Sequence, residues 1–85
     1  MKTSYVYIMA SKPYGTLYTG VTSDITGRVY EHKYEPRGFV KQYKVQRLVY
    51  YDMFWDIRQA IYFEKSLKRW HRQWKIQLIM KENPH

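Results

Sequence analysis

Arg28 and His32 stand four residues apart in the stretch SDITGRVYEHK, residues 23–33. That spacing is one helical turn, so on a helix the two side chains share a face. A guanidinium stays charged and grips phosphate oxygens through a fork of donors, and an imidazole exchanges protons near neutral pH. Two such groups aimed the same way are either ordinary surface or part of a site. Their plain alternatives are an Arg28 in solvent paired with Asp24 or Glu31, and a His32 resting near the helix's C-terminal dipole. A third group stands out in IRQAIYFEKSLKRW, residues 57–70. Ile57, Ala60, Ile61 and Leu67 have the spacing of one buried stripe, and Glu64 falls inside it. An ionised carboxylate there must be neutral, paired, close to an opening or coordinated to a cation. Lys68, four residues on, is the simple partner. A hard divalent cation such as Mg²⁺ is the other, since one carboxylate and several waters suffice to hold it.

Other chemistries find no support. There is no cysteine, and the histidines at 32, 71 and 85 have no ligand spacing, which argues against zinc. The serines at 4, 11, 23 and 66 lie near no His and acid in a recurring pattern. No glycine-rich phosphate loop is present.

These residues must be positioned by a small set of elements. YVYIM (5–9) and TLYTGV (16–21) are rich in β-branched and aromatic residues and are separated by ASKPYG, a turn sequence. A turn centred between Lys12 and Pro13 pairs Ile8 with Leu17, Val6 with Thr19 and Tyr7 with Tyr18. The two tyrosines then lie side by side, and Gly20 opposite Tyr5 leaves space beside them. Val6, Ile8, Leu17 and Val21 form the opposite, apolar face. Asp24 caps a helix from Ile25 to about Lys33, at some cost from Gly27 in its first turn. Ile25 and Val29 are its inward stripe. Residues 34–44, with Pro36 and Gly38 among charged neighbours, read as an exposed basic loop. QRLVYYDMF (46–54) is a third strand, apolar on both faces and so expected to be central or covered on both sides. Asp56 caps a second helix, and QWKIQLIMKE (73–82) is a third. The fold class is α+β: a three-stranded antiparallel sheet with about three helices, in the order β-β-α-β-α-α.

With 85 residues the chain makes one domain over 1–85, able to bury roughly 60–65% of its unfolded surface. Fifteen Lys and Arg against seven Asp and Glu give a net charge of +8, which attracts polyanions and makes nucleic acid the leading partner. Ten tyrosines and three tryptophans could stack on bases, although most must be core in so short a chain. No apolar run is long enough for a signal peptide or a membrane span, so the expected location is the cytoplasm, with no membrane partner.

YVYIM, LYTGVTSDITGRVYEH (17–32), FEKSLKRW (63–70) and KIQLI (75–79) resemble the GIY-YIG endonuclease superfamily, in particular its small single-domain bacterial members. The likeness spans nearly the whole chain. Its specificity lies in the ordered set: two tyrosine motifs about ten residues apart, an arginine ten beyond the second, a histidine four later and a glutamate on a downstream helix. The resemblance implies the GIY-YIG fold and a metal-dependent endonuclease that hydrolyses phosphodiester bonds in nucleic acid, DNA ahead of RNA, in repair or recombination. It implies one Mg²⁺ or Mn²⁺ on Glu64, stabilising the leaving 3′-oxygen, with Arg28 on the phosphate and Tyr18 orienting water or phosphate. Tyr7 is the family's proposed proton acceptor. A phenol titrates near pH 10, so His32 is the better-matched base, and both stay open. Arg28, Lys33, Lys41 and Lys68 are the expected contacts to nucleic acid. The sequence departs from the family pattern in Tyr5 for the first-motif glycine, Val21 where some members have lysine, and Gly27 where a second basic residue often stands. Asn83 is not placed securely enough to carry a role. A basic binding domain without turnover, or a protein-interaction module, are the rival functions.

Overall fold

Strand β1 (Ser4–Ala10) carries the sheet, with every residue but Tyr5 buried. In the computed structural model, which describes residues 3–12 and 15–82, it pairs antiparallel with β2 (Leu17–Thr22) on one side and β3 (Arg47–Phe54) on the other. The order is β2-β1-β3, so β3 is an edge strand. This corrects the expectation of a central third strand. β3 reads as apolar on both faces, whereas β1 reads as one apolar face and one face of tyrosines, yet it is β1 that is covered on both. What differs is cover: Tyr51 and Met53 on β3 stand in solvent.

Four helices complete the described residues, α1 (Ile25–Tyr34) and α2 (Gly38–Tyr43) between β2 and β3, and α3 (Ile57–Arg69) and α4 (Arg72–Glu82) after β3. The predicted order holds, with α2 added in the stretch read as a loop. Pro36 and Gly38 punctuate that stretch without preventing one turn and a half of helix. Gly38 takes the left-handed backbone (φ +54) that glycine adopts without strain, and Lys44 takes it at the C-cap. The segment is nonetheless exposed and basic, as expected, through Arg37, Lys41 and Lys44.

Alternation along β1 divides the interior in two. Val6 and Ile8, with Tyr50 of β3, pack on Ala60 and Leu67 of α3, and Leu78 and Ile79 of α4 close that layer. Tyr7 and Met9 point the other way and pack with Val40 of α2, Val45, and Ile25 and Val29 of α1. The α3 stripe is narrower than its apolar spacing suggested: Ala60 and Leu67 are fully buried, but Ile57 and Ile61 are exposed. A helix laid on a three-stranded sheet has too little surface beneath it to cover both flanks.

The hairpin register is displaced by two residues from the predicted one. Tyr7 faces Gly20, Val6 faces Val21, Ile8 faces Thr19, and Tyr18 faces Met9. The predicted turn centre, between Lys12 and Pro13, lies partly outside the described residues, as does Asn83. A shift of two preserves the side of the sheet each residue faces, so Tyr7 and Tyr18 remain on one face as diagonal neighbours, ring centroids 6.2 Å apart. The space predicted beside Tyr5 is not there; Gly20 lies under the ring of Tyr7.

Asp24 caps α1 as predicted, its carboxylate accepting from the Gly27 amide at 3.0 Å. A Cβ on Gly27 would stand 2.2 Å from that carboxylate, so this glycine makes room for the cap. Because α1 carries Arg28 and His32, an Asp24→Ala protein is expected to lose about 1 kcal/mol in urea unfolding, with cleavage falling no further than the lost helix explains.

Candidate active site

Four of the five residues singled out in the sequence meet on the α1–α2 side of the sheet. Tyr7 Oη lies 3.3 Å from His32 Nε2. The Tyr18 ring closes a triangle with them, 6.2 Å from Tyr7 and 5.2 Å from His32 between centroids. Arg28, one turn before His32, lines a cleft of about 330 Å³ together with Tyr18, Glu31, His32, Glu35, Pro36, Arg37 and Val40. Helix geometry accounts for this placing. Ile25, Val29 and His32 turn inward, and the same turn sets Arg28 at the rim.

Tyr7 and His32 are both buried, with 2% and 5% of their surface exposed. Burial raises the Tyr7 phenol well above its ordinary range, and the Tyr18 phenol adds to this while Arg28 opposes it. Burial also lowers the His32 imidazole below 6.5; Arg28 pushes the same way, and the Val45 carbonyl and Glu31 act against it. His32 Nδ1 is buried without a hydrogen-bond partner among the described residues. A proton on Nδ1 leaves the Nε2 lone pair to accept from the Tyr7 hydroxyl, the arrangement that keeps both groups neutral. Arg28 is held loosely by Glu31 at 3.6 Å, both about half exposed, a contact of small strength that a phosphate can displace.

Glu64 stands apart from this group. Its helix, α3, packs on the face of β1 that bears Val6 and Ile8, opposite the face that bears Tyr7. Its side chain is 12% exposed and its carboxylate lies 3.3 Å from Lys68 Nζ. The expectation that Glu64 sits at the edge of the tyrosine cleft is therefore not what the geometry gives: it is absent from the cleft wall, and the i, i+4 ion pair is formed. Among the described residues no three acidic, histidine or cysteine side chains gather to hold a metal ion. The donor chemistry fits a hard cation in one form, a single sheltered carboxylate completed by water, with the exposed Lys68 moved aside. Lys33 and Lys41 are exposed on α1 and α2, on the cleft's side, while Lys68 is on the α3 layer.

Sequence reasoning missed Glu31, Glu35 and Arg37 as wall residues and α2 as a wall. The spacing of Phe39, Val40 and Tyr43 was a helical signal, but Pro36 and Gly38 masked it.

Residues 3–77 match the GIY-YIG catalytic domain. The chain belongs to the GIY-YIG family. Its GIY-YIG relatives include the UPF0213 protein SSP2268 of Staphylococcus saprophyticus, 35% identical over 80 residues, which span 93% of this chain and 96% of that one. A UPF0213 protein of Staphylococcus aureus is 37% identical over 83 residues, with the same two shares. The solution structure of the UPF0213 protein BH0048 from Bacillus halodurans superposes with a TM-score of 0.57 at 31% identity, covering 91% of this chain and 82% of that one. The GIY-YIG family is of nuclease type, and its fold is the one described above. Tyr7 and Tyr18, the residues expected to stand for the two name motifs, fall on β1 and β2, and Arg28 and His32 on α1. Among the described residues no helix is long and apolar enough to cross a membrane.

Proposed function

We propose that this protein is a divalent-metal-dependent endonuclease acting on DNA in a repair or recombination setting. The observation that carries the reading is the Tyr7–His32 hydrogen bond with Tyr18 and Arg28 beside it on one cleft. Arg28 holds a phosphate oxygen and meets the charge that grows there as water adds to phosphorus. Tyr18, at the wall, orients the water. The water gives its proton to Tyr7 Oη as the Tyr7 proton passes to His32 Nε2, so no buried phenolate forms. The bond from phosphorus to the 3′-oxygen then breaks. A Mg²⁺ or Mn²⁺ ion on Glu64 would supply positive charge for that leaving oxygen. Glu64 lies on the α3 side of the sheet and is paired with Lys68, so a strand held in the cleft would have to extend past the sheet and displace that lysine to meet the ion.

This route fixes the sign of a pH effect. His32 must be neutral to take the proton, and its lowered value keeps it neutral on the acid side of 6.5. The acid limb of kcat/KM is expected below 6.5, and a His32→Gln protein should lose that limb along with most activity. A limb above 6.5 would contradict the assignment. The same group tilts stability. The unfolded chain binds the proton more readily, so stability is fullest above 6.5 and falls as the pH drops below it.

A second reading is favoured by two particular observations: Glu64 is paired with Lys68, and Tyr7 is nearly covered. A basic domain that binds nucleic acid without turnover would look like this. The deciding test is cleavage of labelled branched, single-stranded and duplex DNA with Mg²⁺ or Mn²⁺, wild type beside Glu64→Ala. The expected result is metal-dependent cutting by the wild type and its loss in the variant. Salt-sensitive binding with no cutting under either metal would establish the second reading, and equal cutting by the variant would remove Glu64 from the site.

A further inference from the structure

Phe39 and Tyr43 stand one turn apart on α2, ring centroids 4.8 Å apart, with close to half of each side chain in solvent. Phe39 also approaches Tyr18, at 6.3 Å between centroids, and Tyr18 in turn touches Tyr7 and His32. An unbroken series of rings thus runs from the buried Tyr7 to the surface. The fold does not need its outer two members. Val40 and Val45 fill the interior beneath α2, and neither Phe39 nor Tyr43 belongs to either core. Their surroundings are cationic: Arg37, Lys41 and Lys44 are exposed around them, and Arg37 lines the cleft with Arg28.

We propose that Phe39 and Tyr43 form a stacking site for one unpaired nucleobase, adjoining the cleft that takes the phosphate. The inference rests on the proposed function, whose phosphate site the rings extend. Two exposed rings, tilted 45° to one another and flanked by Arg37, Lys41 and Lys44, offer a stacking face to a base whose own phosphate is anionic. A base within a duplex has both faces covered by its neighbours, so only an unpaired or extruded one can occupy the place. A second copy of this chain would bring like charges together, +8 against +8.

The test is binding without divalent metal, so that nothing is cut. Fluorescence anisotropy compares an intact single-stranded oligonucleotide with one in which abasic sites replace the bases. Phe39→Leu and Tyr43→Leu keep apolar bulk on α2 and remove the ring. Each is expected to weaken binding of the intact strand by about tenfold, to leave the abasic strand unaffected, and to leave the salt dependence unchanged. Tyr34→Leu is the control. Tyr30 and Tyr34 are an exposed pair with the same 4.8 Å spacing that, among the described residues, makes no ring contact to the cleft tyrosines, and binding should not change. Equal losses on both strands would show that the rings only hold α2 in place, and would overturn the proposal. So would unchanged binding, or a wild-type dimer abolished by either substitution. The two claims fail separately. The predicted binding pattern without cutting under any metal leaves the stacking site and removes the nuclease; metal-dependent cutting with no difference between the strands does the reverse.

Discussion

An Arg28→Ala protein is expected to cut DNA about 10²–10³-fold more slowly than the wild type, the loss that follows removal of one preorganised donor from a developing oxyanion. Arg28 is suited to produce so large an effect with little damage elsewhere. It is at the rim of the cleft, its only ion pair among the described residues is with Glu31 at 3.6 Å, and the inward face of α1 is supplied by other residues. Unfolding by urea should therefore change by no more than about 0.5 kcal/mol, which separates a chemical loss from a structural one. Arg28→Lys should recover only part of the rate, because a lysine restores the charge and not the fork. The pH profile carries a further signature. Arg28 lowers His32, so its removal should move the acid limb of any residual activity to higher pH. An Arg28→Ala protein that cuts at the wild-type rate would end the assignment of this cleft as the reaction site.

The second large effect is expected at a residue with no side chain. A Cβ on Gly20 would stand 2.6 Å from Tyr7 Oη, 2.7 Å from Cζ and 2.9 Å from Cε1. Tyr7 can shift only at a cost, since it is buried in one cluster with Met9, Val40 and Val45. Gly20→Ala is expected to cost about 1–3 kcal/mol through overpacking, against a total of about 5–15 kcal/mol for a domain. In a thermal melt that is roughly 4–8 °C for each kcal/mol. Cleavage should fall further than stability, because pushing Tyr7 aside opens its 3.3 Å contact with His32. The double variant Gly20→Ala, Tyr7→Phe tests the geometry. Removing the hydroxyl removes the nearest clashing atom, so stability should partly return while activity does not. Two additive losses would show that the methyl group and the hydroxyl never meet.

Much of this arrangement was legible in the sequence, and the failures have common causes. The Asp24 cap and the four-residue spacing from Arg28 to His32 are local signals, and both were realised. The hairpin was also recognised, but its register depends on a turn that composition does not specify to the residue. Parity survived the error, and so Tyr7 and Tyr18 were still assigned to one face. The central strand was misjudged because an apolar pattern on both faces of β3 does not by itself mean cover on both sides; cover is set by which strands and helices lie beside it. Glu64 shows a deeper limit. Its place within a helical stripe was read well enough, yet spacing along α3 says nothing about which side of the sheet the helix covers. The i, i+4 partner, Lys68, was visible from spacing alone. α2 was lost because two breakers outweighed three apolar residues.

The division of the interior by β1 bears on how this protein can change over generations. Val6 and Ile8 answer to α3 and α4, and Tyr7 and Met9 to α1 and α2, so the strand works as a party wall between two rooms. Substitutions in one room should be nearly indifferent to those in the other, and the cleft side could be refurnished for a new target while the α3–α4 side keeps the building upright. The wall itself has no such freedom. A slip of one residue along β1 would turn each tenant into its neighbour's room at once.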